Sequence, residues 1–180
     1  MTDQATTAPE RLDHERARAL YERAYALLNE HDLGNIPEIF TEDVEFHDDA
    51  WPEAIHGHAD MERFLRALWT ATPDLRFEVI EAYVAGDGAR TAVHLRTTGT
   101  STGDFDPPGF APTGGPVTTE VGGFHEWEGE RVKRARLILN MQDVGVQVGA
   151  LPPPGSAGEK LGVRMQRMKA RAMRRRAGRG

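Results

Sequence analysis

GERVKRARLILNMQDVGVQVG, residues 129–149, contains a predicted strand and the polar residues that follow it, and the rest of the chain can be arranged around it. Its first half follows a turn at residues 128–129 and carries β-branched or apolar side chains at Val132, Leu137, Ile138 and Leu139. Asn140 and Asp143 then end the strand. Polar groups at a strand end beside apolar side chains are typical of a small-molecule pocket. Asn and Asp also turn chains and cap helices, so both interpretations stay open.

The length of 180 residues predicts one folded domain with an appended tail. We expect residues 1–9 to be disordered, residues 10–154 to form the domain and residues 155–180 to form a basic helical tail. The chain has no cysteine, which excludes disulfides, thiolate metal sites and a cysteine nucleophile. The first residues form no apolar signal segment, and no apolar run reaches the roughly 18 residues that span a bilayer. We therefore expect a cytoplasmic protein with no membrane span.

The net charge of −6 conceals an uneven distribution. From Glu159 onward, nine Lys and Arg residues stand against one acid, so the preceding body of the chain is strongly acidic. An acidic body argues against a nucleic-acid surface on the folded domain. The basic tail, which contains Met165 and Met168, could bind an acidic membrane, a nucleic acid or an acidic partner protein. The alternative is a solvated helix that lies on the acidic body.

The predicted elements run from helices to strands, which is typical of an α+β domain. Apolar stripes predict a helix that ends at Glu30, a short helix at 36–40 and a helix at 59–71. Strands are predicted at residues 44–47, 76–85, 89–100, 115–128 and 130–141, and a last helix from Ala157. The segment STGDFDPPGFAPTGGP, residues 101–116, is rich in Pro and Gly. It is either a lid over a site or a plain connection.

Several short features recur in a fixed order: Phe40 with Asp43, Phe46-His47-Asp48, Gly57, Pro73-Asp74-Leu75-Arg76-Phe77, Gly99-Thr100, Thr102-Gly103, Pro112-Thr113-Gly114 and Gln147-Val148-Gly149. On these features, the chain resembles the SnoaL-like polyketide cyclases of the NTF2-like superfamily over roughly residues 19–154. The resemblance implies an NTF2-like cone, in which a strongly curved antiparallel sheet wraps against N-terminal helices and encloses a pocket. It also implies a cofactor-independent cyclase or isomerase that acts by acid/base chemistry on a polyketide-like or polycyclic small molecule, usually as a homodimer.

The resemblance assigns roles to two residues. In the cyclases, an Asp seven residues before the Gln of Gln-Leu-Gly acts as the acid/base, and this position holds Asn140 here. An amide exchanges no proton near neutral pH, but it can donate hydrogen bonds to a developing oxyanion. Asp48 matches the Asp that ends the first strand and acts as base in the isomerase branch, so Asp48 is the expected base. The alternative is that Asp48 caps a turn.

Further candidates come from polar and aromatic residues near the strand ends and along the strand faces. As additional catalytic groups we consider Asp143, His94 and His125. As substrate-binding groups we consider His47, Trp51, His58, Trp69, Arg96 and Tyr25. A strand face that carries His94 and Arg96 either lines a wet cavity or lies in solvent. No metal-binding spacing such as HExxH is present, and we expect neither a metal nor another cofactor.

The last strand presents a conflict between two orientations. One face holds Arg134, Arg136, Ile138 and Asn140, and the other holds Leu137, Leu139 and Met141. If the apolar face points inward, Asn140 points outward. The resemblance instead directs Asn140 into the pocket, which requires a β-bulge or an outer apolar face covered by a second copy. We favour the second copy and predict a homodimer through Leu137 and Leu139.

Two other functions stay open. One is epoxide opening, by hydrolysis or by attack of an internal hydroxyl to form a cyclic ether, with the acid and base roles divided between Asp48 and Asp143. The other is a non-catalytic small-molecule-binding module. Asn140 in the place of the family's acid favours the binding module, whereas Asp48 and the histidines favour an enzyme.

Overall fold

The computed structural model describes residues 11–86, 88–107 and 109–177, and the predicted disorder of residues 1–9 lies outside these ranges. The helices are α1 (His14–Leu28), α2 (Ile36–Ile39), α3 (Gly57–Ala71), α4 (Met141–Gln147) and α5 (Ala157–Ala177), with a 3-10 turn at Leu33–Asn35. The strands are β1 (Phe40–Asp48), β2 (Ile55–His56), β3 (Arg76–Val84), β4 (Arg90–Thr100), β5 (Pro116–Glu128) and β6 (Arg131–Leu139). The predicted α+β order is confirmed.

The strands form one six-stranded curved sheet in the order β2-β1-β6-β5-β4-β3. Neighbouring strands are antiparallel, except that β1 and β6 are parallel. The sequence does not predict this pair, because a long crossover joins the two strands and leaves their relative direction free. Irregularities in the β1–β6, β3–β4 and β5–β6 ladders bend the strands. Because β1 and β6 are parallel, their carboxyl ends lie at the same end of the sheet, with Asp48 opposite Leu137.

Helices α1 and α3 cover the inner face of this sheet. The helix α1 begins where the side chain of Asp13 accepts a hydrogen bond from the backbone N–H of Arg16 at 2.8 Å. Its buried face consists of Ala17, Leu20, Tyr21, Ala24, Tyr25 and Leu28. The helix α3 buries Met61, Phe64 and Leu65, with Trp69 partly buried beside them. Burial of each large apolar side chain contributes about 1.5–3 kcal/mol, so these two stripes hold the helices against the sheet.

Strand β6 directs its apolar residues inward. Leu137 is buried, and Leu139 packs against the core, whereas Ile138 is 48% exposed on the outer face. The β5–β6 ladder is regular from Arg134 to Leu139, so no bulge reverses the alternation. The predicted homodimer surface through Leu137 and Leu139 is therefore wrong, because both side chains already face the interior.

Helix α5 follows residues 152–154, which are all proline. Its apolar residues remain largely exposed: Leu161 at 59%, Met165 at 53%, Met168 at 63% and Met173 at 70%. The helix therefore does not bury its apolar side chains on the domain. Within the described ranges, no helix is both long and apolar enough to cross a membrane.

Candidate functional site

A cavity of about 140 Å³ lies between the inner face of the sheet, α3, α4 and the described residues of the loop between β4 and β5. Its walls are mainly apolar and include Phe64, Phe77, Leu95, Val121, Leu137 and Leu139. Its lining also includes four hydroxyl-bearing residues: Thr72, Thr97, Ser101 and Thr119. Among the described residues that line it, Asp48 is the one ionisable side chain. A charge in such surroundings is costly unless it is neutralised or hydrogen-bonded.

Residues 101–107 and 109–115, here called the cover loop, close one side of the cavity. The backbone N–H groups of Phe105 and Phe110 each donate to the other's carbonyl oxygen at 3.0 Å, which folds the tip into a narrow turn. Both aromatic rings line the cavity. The base of the loop is fixed to α3, since the N–H of Gly103 donates to the carbonyl of Ala71 at 3.1 Å. The loop thus forms part of the cavity wall rather than a plain connection.

Asp48 lies at the end of β1 with 7% of its surface exposed. Its Oδ1 accepts a hydrogen bond from the backbone N–H of Ala50 at 2.7 Å. Within the described part of the chain, no donor reaches its second oxygen. Burial raises the pKa of the Asp48 carboxyl from 3.8 to about 6, and this shift is increased by Asp49 and opposed by the Ala50 N–H and Arg136. One carboxylate oxygen is therefore free to exchange a proton near neutral pH.

A second, inner chamber of about 50 Å³ adjoins the cavity, and Asp48 and Leu137 line both. Tyr25 also lines the inner chamber and is 6% exposed. Its hydroxyl has no hydrogen-bond partner among the described residues. Burial, together with Tyr21 and Asp48, raises the pKa of Tyr25 far above its ordinary value. The hydroxyl therefore stays protonated and can donate a hydrogen bond to a ligand.

His125 lies at the far wall of the inner chamber and is buried. The hydroxyl of Tyr21 is 3.0 Å from Nδ1 of His125 and 2.6 Å from Oγ1 of Thr91. Nε1–H of Trp127 donates to the same Oγ1 at 2.8 Å. Burial lowers the pKa of His125 from 6.5 to about 3, so the imidazole is neutral. This network satisfies the buried polar groups behind the cavity. Tyr21 follows the apolar spacing of α1 with Ala24 and Leu28, but it was not among the residues predicted for the site.

The polar residues after β6 belong to the framework of α4. Oδ1 of Asn140 accepts a hydrogen bond from the backbone N–H of Asp143 at 3.2 Å, and both residues are exposed. The side chain of Gln147 bonds to the backbone N–H and C=O of Thr118, each at 2.8 Å, and also donates to Asp143 at 2.9 Å. The structure thus places Asn140 and Asp143 outside the cavity. In this chain, these motif residues cap α4 and attach it to β5.

The outer face of the sheet holds most of the other charged candidates. Nε2 of His94 lies 2.6 Å from Glu120, and Arg96 pairs with Glu120 at 3.2 Å and with Glu78 at 3.5 Å. His47 is exposed on the same face. Strand alternation separates these three candidates from the cavity, since their neighbours in sequence point inward.

Three further candidates lie in the helix and loop layer. The ring of Trp51 meets Phe64 at 5.4 Å and Phe105 at 6.3 Å between ring centroids, so it supports the cover loop from behind. His58 is 3.1 Å from the carbonyl oxygen of Phe40, and Trp69 stacks on His31 at 4.9 Å. None of these candidates is among the described residues that line the cavity.

Sequence reasoning missed the cavity contributions of Thr97, Thr119, Phe105 and Phe110. The two threonines alternate with outward residues on β4 and β5, so a correct assignment of strand faces would have found them. The phenylalanines lie in an irregular loop whose path no local pattern predicts. Loop contributions of this kind require the tertiary structure.

The architecture is that of the NTF2-like proteins, with helices packed inside a curved sheet around a pocket. The chain belongs to the SnoaL-like domain family, whose model matches residues 21–135. This confirms the resemblance inferred from the sequence motifs. No curated protein matches the chain significantly.

Similar solved structures include AclR of Streptomyces galilaeus, named as a hydroxylase, at 22% identity and a TM-score of 0.66, covering 89% of this chain and 98% of that chain. A protein from Jannaschia sp. CCS1 that is named as a SnoaL-like polyketide cyclase has 20% identity and a TM-score of 0.65, and the match covers 81% of this chain and 100% of that chain. SalBIII is described as an epoxide hydrolase/cyclase-like enzyme with a role in pyran ring formation in salinomycin. It has 20% identity and a TM-score of 0.59, and the match covers 72% of this chain and 94% of that chain. Identities this low show the shared fold and not a shared reaction.

Proposed function

We propose that the chain is a cofactor-independent enzyme of the cyclase or isomerase type, in which Asp48 removes a proton from carbon next to a carbonyl group. The observation that carries the proposal is a buried carboxylate with one free oxygen in an apolar cavity. Its pKa of about 6 lets it accept and return a proton near neutral pH. Tyr25 is a protonated donor that lines the adjoining inner chamber together with Asp48, and it supplies a hydrogen bond to a substrate group or a bound water that reaches this chamber.

The size of the cavity limits what it can enclose. A volume of about 140 Å³ accommodates one six-membered ring, since an engineered cavity of roughly 150 Å³ holds benzene. A polyketide-like substrate would therefore place the reacting ring or ring-forming segment inside. Its remaining length would extend past Phe105 and Phe110 of the cover loop, and a polycyclic substrate would require the loop tip to move.

Deuterium exchange tests the proposed role of Asp48 without the natural substrate. Single-ring ketones incubated with the protein in D₂O should gain deuterium next to the carbonyl, measured by mass spectrometry. Asp48→Asn should slow the exchange by roughly 100-fold or more, the usual scale for a lost general base. Asp143→Asn, which changes a carboxylate outside the cavity, is the matched control and should leave exchange unchanged. Equal exchange by wild type and Asp48→Asn would refute the proposal.

The epoxide-opening alternative receives less support from the site. Division of the acid and base roles between Asp48 and Asp143 requires both carboxylates at one substrate, and Asp143 faces outward on α4. The likeness to SalBIII is one of fold. A non-catalytic binding module would bind a ring-sized ligand equally well in wild type and Asp48→Asn and would show no exchange.

We also propose a homodimer, with the opposite sheet face as its surface. The outer face exposes Tyr83 at 53%, Phe124 at 54% and Ile138 at 48%. Ion pairs such as Arg134 with Glu126 surround these residues, so the arginines beside this patch are already paired within each copy. Light scattering should give twice the chain mass for wild type and the chain mass for Phe124→Asp. A wild-type monomer at micromolar concentration would contradict this.

A further inference from the structure

Asp49 ties the end of β1 to β6. Its side chain contacts Arg136, whereas the side chain of Asp48 lines the cavity. Nη2 of Arg136 donates to Oδ1 of Asp49, and the backbone N–H of Leu139 donates to Oδ2 at 3.4 Å. The Asp49 carboxylate therefore joins the two parallel strands at the edge where Asp48 enters the cavity.

We propose that Asp49 and Arg136 are positioning residues for Asp48, which fix the strand end that carries it and act on its carboxylate with opposite charges. This inference rests on the proposed function, in which Asp48 exchanges the proton. The Asp49 side chain is 25% exposed and Arg136 is 49% exposed, so the pair adjoins solvent while Asp48 does not. Charges next to a buried group are screened less than charges between surface groups.

The two residues act on Asp48 in opposite directions. The negative charge of Asp49 raises the pKa of Asp48, and the positive charge of Arg136 lowers it. While the ion pair is intact, the two effects oppose each other, and burial remains the main cause of the shift. Loss of either partner leaves the other charge uncompensated beside Asp48, so the two losses should have opposite consequences.

Other titratable groups surround this pair, and none replaces it. On the outer face, His47 is opposite Arg136 in the β1–β6 register. Arg134 pairs separately with Glu45 and Glu126 at 2.9 and 3.0 Å. On the inner side, α1 contributes Tyr21 and Tyr25 and β5 contributes His125, while α3 contributes only apolar residues at this place. Among the described residues, none of these groups donates a hydrogen bond to Asp48 or Asp49.

Carboxyl-carbon NMR of protein labelled with ¹³C-aspartate measures the titration of Asp48 directly, and Asp48→Asn assigns its signal. In Asp49→Asn the titration midpoint should move to lower pH, because an anion is lost and Arg136 is left unpaired. In Arg136→Gln the midpoint should move to higher pH for the converse reason. Each shift should be roughly half a pH unit or more at low ionic strength. The double variant should titrate close to wild type.

Arg136→Lys keeps the charge and is the matched control, so its midpoint should stay near that of wild type. If the pair only held the strand end, both single variants would have a lower melting temperature, and the midpoint would move in one direction or not at all. That result overturns the proposal, because the two charges would not act on Asp48. The titration does not depend on turnover. Opposite shifts together with unchanged deuterium exchange in Asp48→Asn would preserve the positioning role and reject the proposed reaction.

Discussion

The two faces of the sheet carry the same kinds of polar residue, but these residues are buried on the inner face and exposed on the outer face. On the inner face, Asp48 and His125 are buried, and burial displaces the pKa of Asp48 upward and that of His125 downward. On the outer face, His94 and Arg96 both contact the exposed Glu120. The difference comes from strand alternation rather than residue type. A site assignment in this fold must therefore establish the face before it considers the chemistry of the side chain.

The largest difference in stability between the two faces should appear when neighbouring residues of β6, one on each face, are shortened to alanine. Leu137→Ala removes a buried side chain that adjoins both chambers and should lower the free energy of unfolding by about 2–4 kcal/mol. Ile138→Ala shortens a side chain that is 48% exposed and should cost less than about 1 kcal/mol. Urea denaturation measures both. Equal losses would show that β6 does not divide an interior from an exterior.

Asp48→Asn should stabilise the fold while it removes the proposed base. The folded state holds the pKa of Asp48 above its unfolded value, so wild-type stability is greatest with Asp48 protonated and is lost as the pH rises through about 6. The variant should gain roughly 3 kcal/mol above that pH, at about 1.4 kcal/mol per pKa unit, and nothing below about pH 4. Denaturation curves at several pH values test this, and a pH-independent difference would contradict it.

His125 should make stability depend on pH in the direction opposite to that of Asp48. Because its folded-state pKa is lowered, its contribution is complete above pH 6.5 and is lost as the pH falls toward about 3. His125→Gln keeps a hydrogen-bond acceptor for Tyr21 but cannot become charged. Its unfolding free energy should therefore fall less steeply in acid than that of wild type, by up to about 1.4 kcal/mol per pH unit. Identical slopes would show that His125 is not held neutral.

Loss of an ion pair on the outer face should lower the stability less than loss of a buried side chain. Arg96→Gln removes contacts to Glu120 and Glu78 and should cost at most about 1 kcal/mol, because exposed pairs are screened by water and salt. The loss should shrink further in about 1 M salt. A larger, salt-independent loss in thermal denaturation would place Arg96 in the interior.

The smallest effect should come from the tail. Deletion of residues 158–180 removes a helix whose apolar residues are exposed, so the free energy of unfolding should change by less than about 0.5 kcal/mol. Deuterium exchange at ketones should also be unchanged. A substantial fall in melting temperature would show that α5 packs on the domain in solution.

The sequence predicted the order of elements closely, because apolar periodicity and turn residues are local signals. It did not predict the features that depend on contacts between segments distant in sequence. The parallel β1–β6 pair has no local signature, and the faces of β6 were assigned incorrectly because the family position of Asn140 was given more weight than strand alternation. Asn140 instead follows the capping alternative that the sequence had left open. Asp48 lines the cavity, and its role as the base stays a prediction. The walls supplied by Phe105 and Phe110 could be identified only from the folded structure.

The separation of charge along the chain has a consequence for the whole molecule. Nine basic residues and one acid give residues 159–180 a charge of +8, so the net charge of −6 leaves −14 on residues 1–158. The helix α5 has 21 residues and extends for about 30 Å. The molecule therefore has a large electric dipole moment, and its two ends respond oppositely to a charged surface. It should bind to both cation- and anion-exchange resins at neutral pH, in opposite orientations.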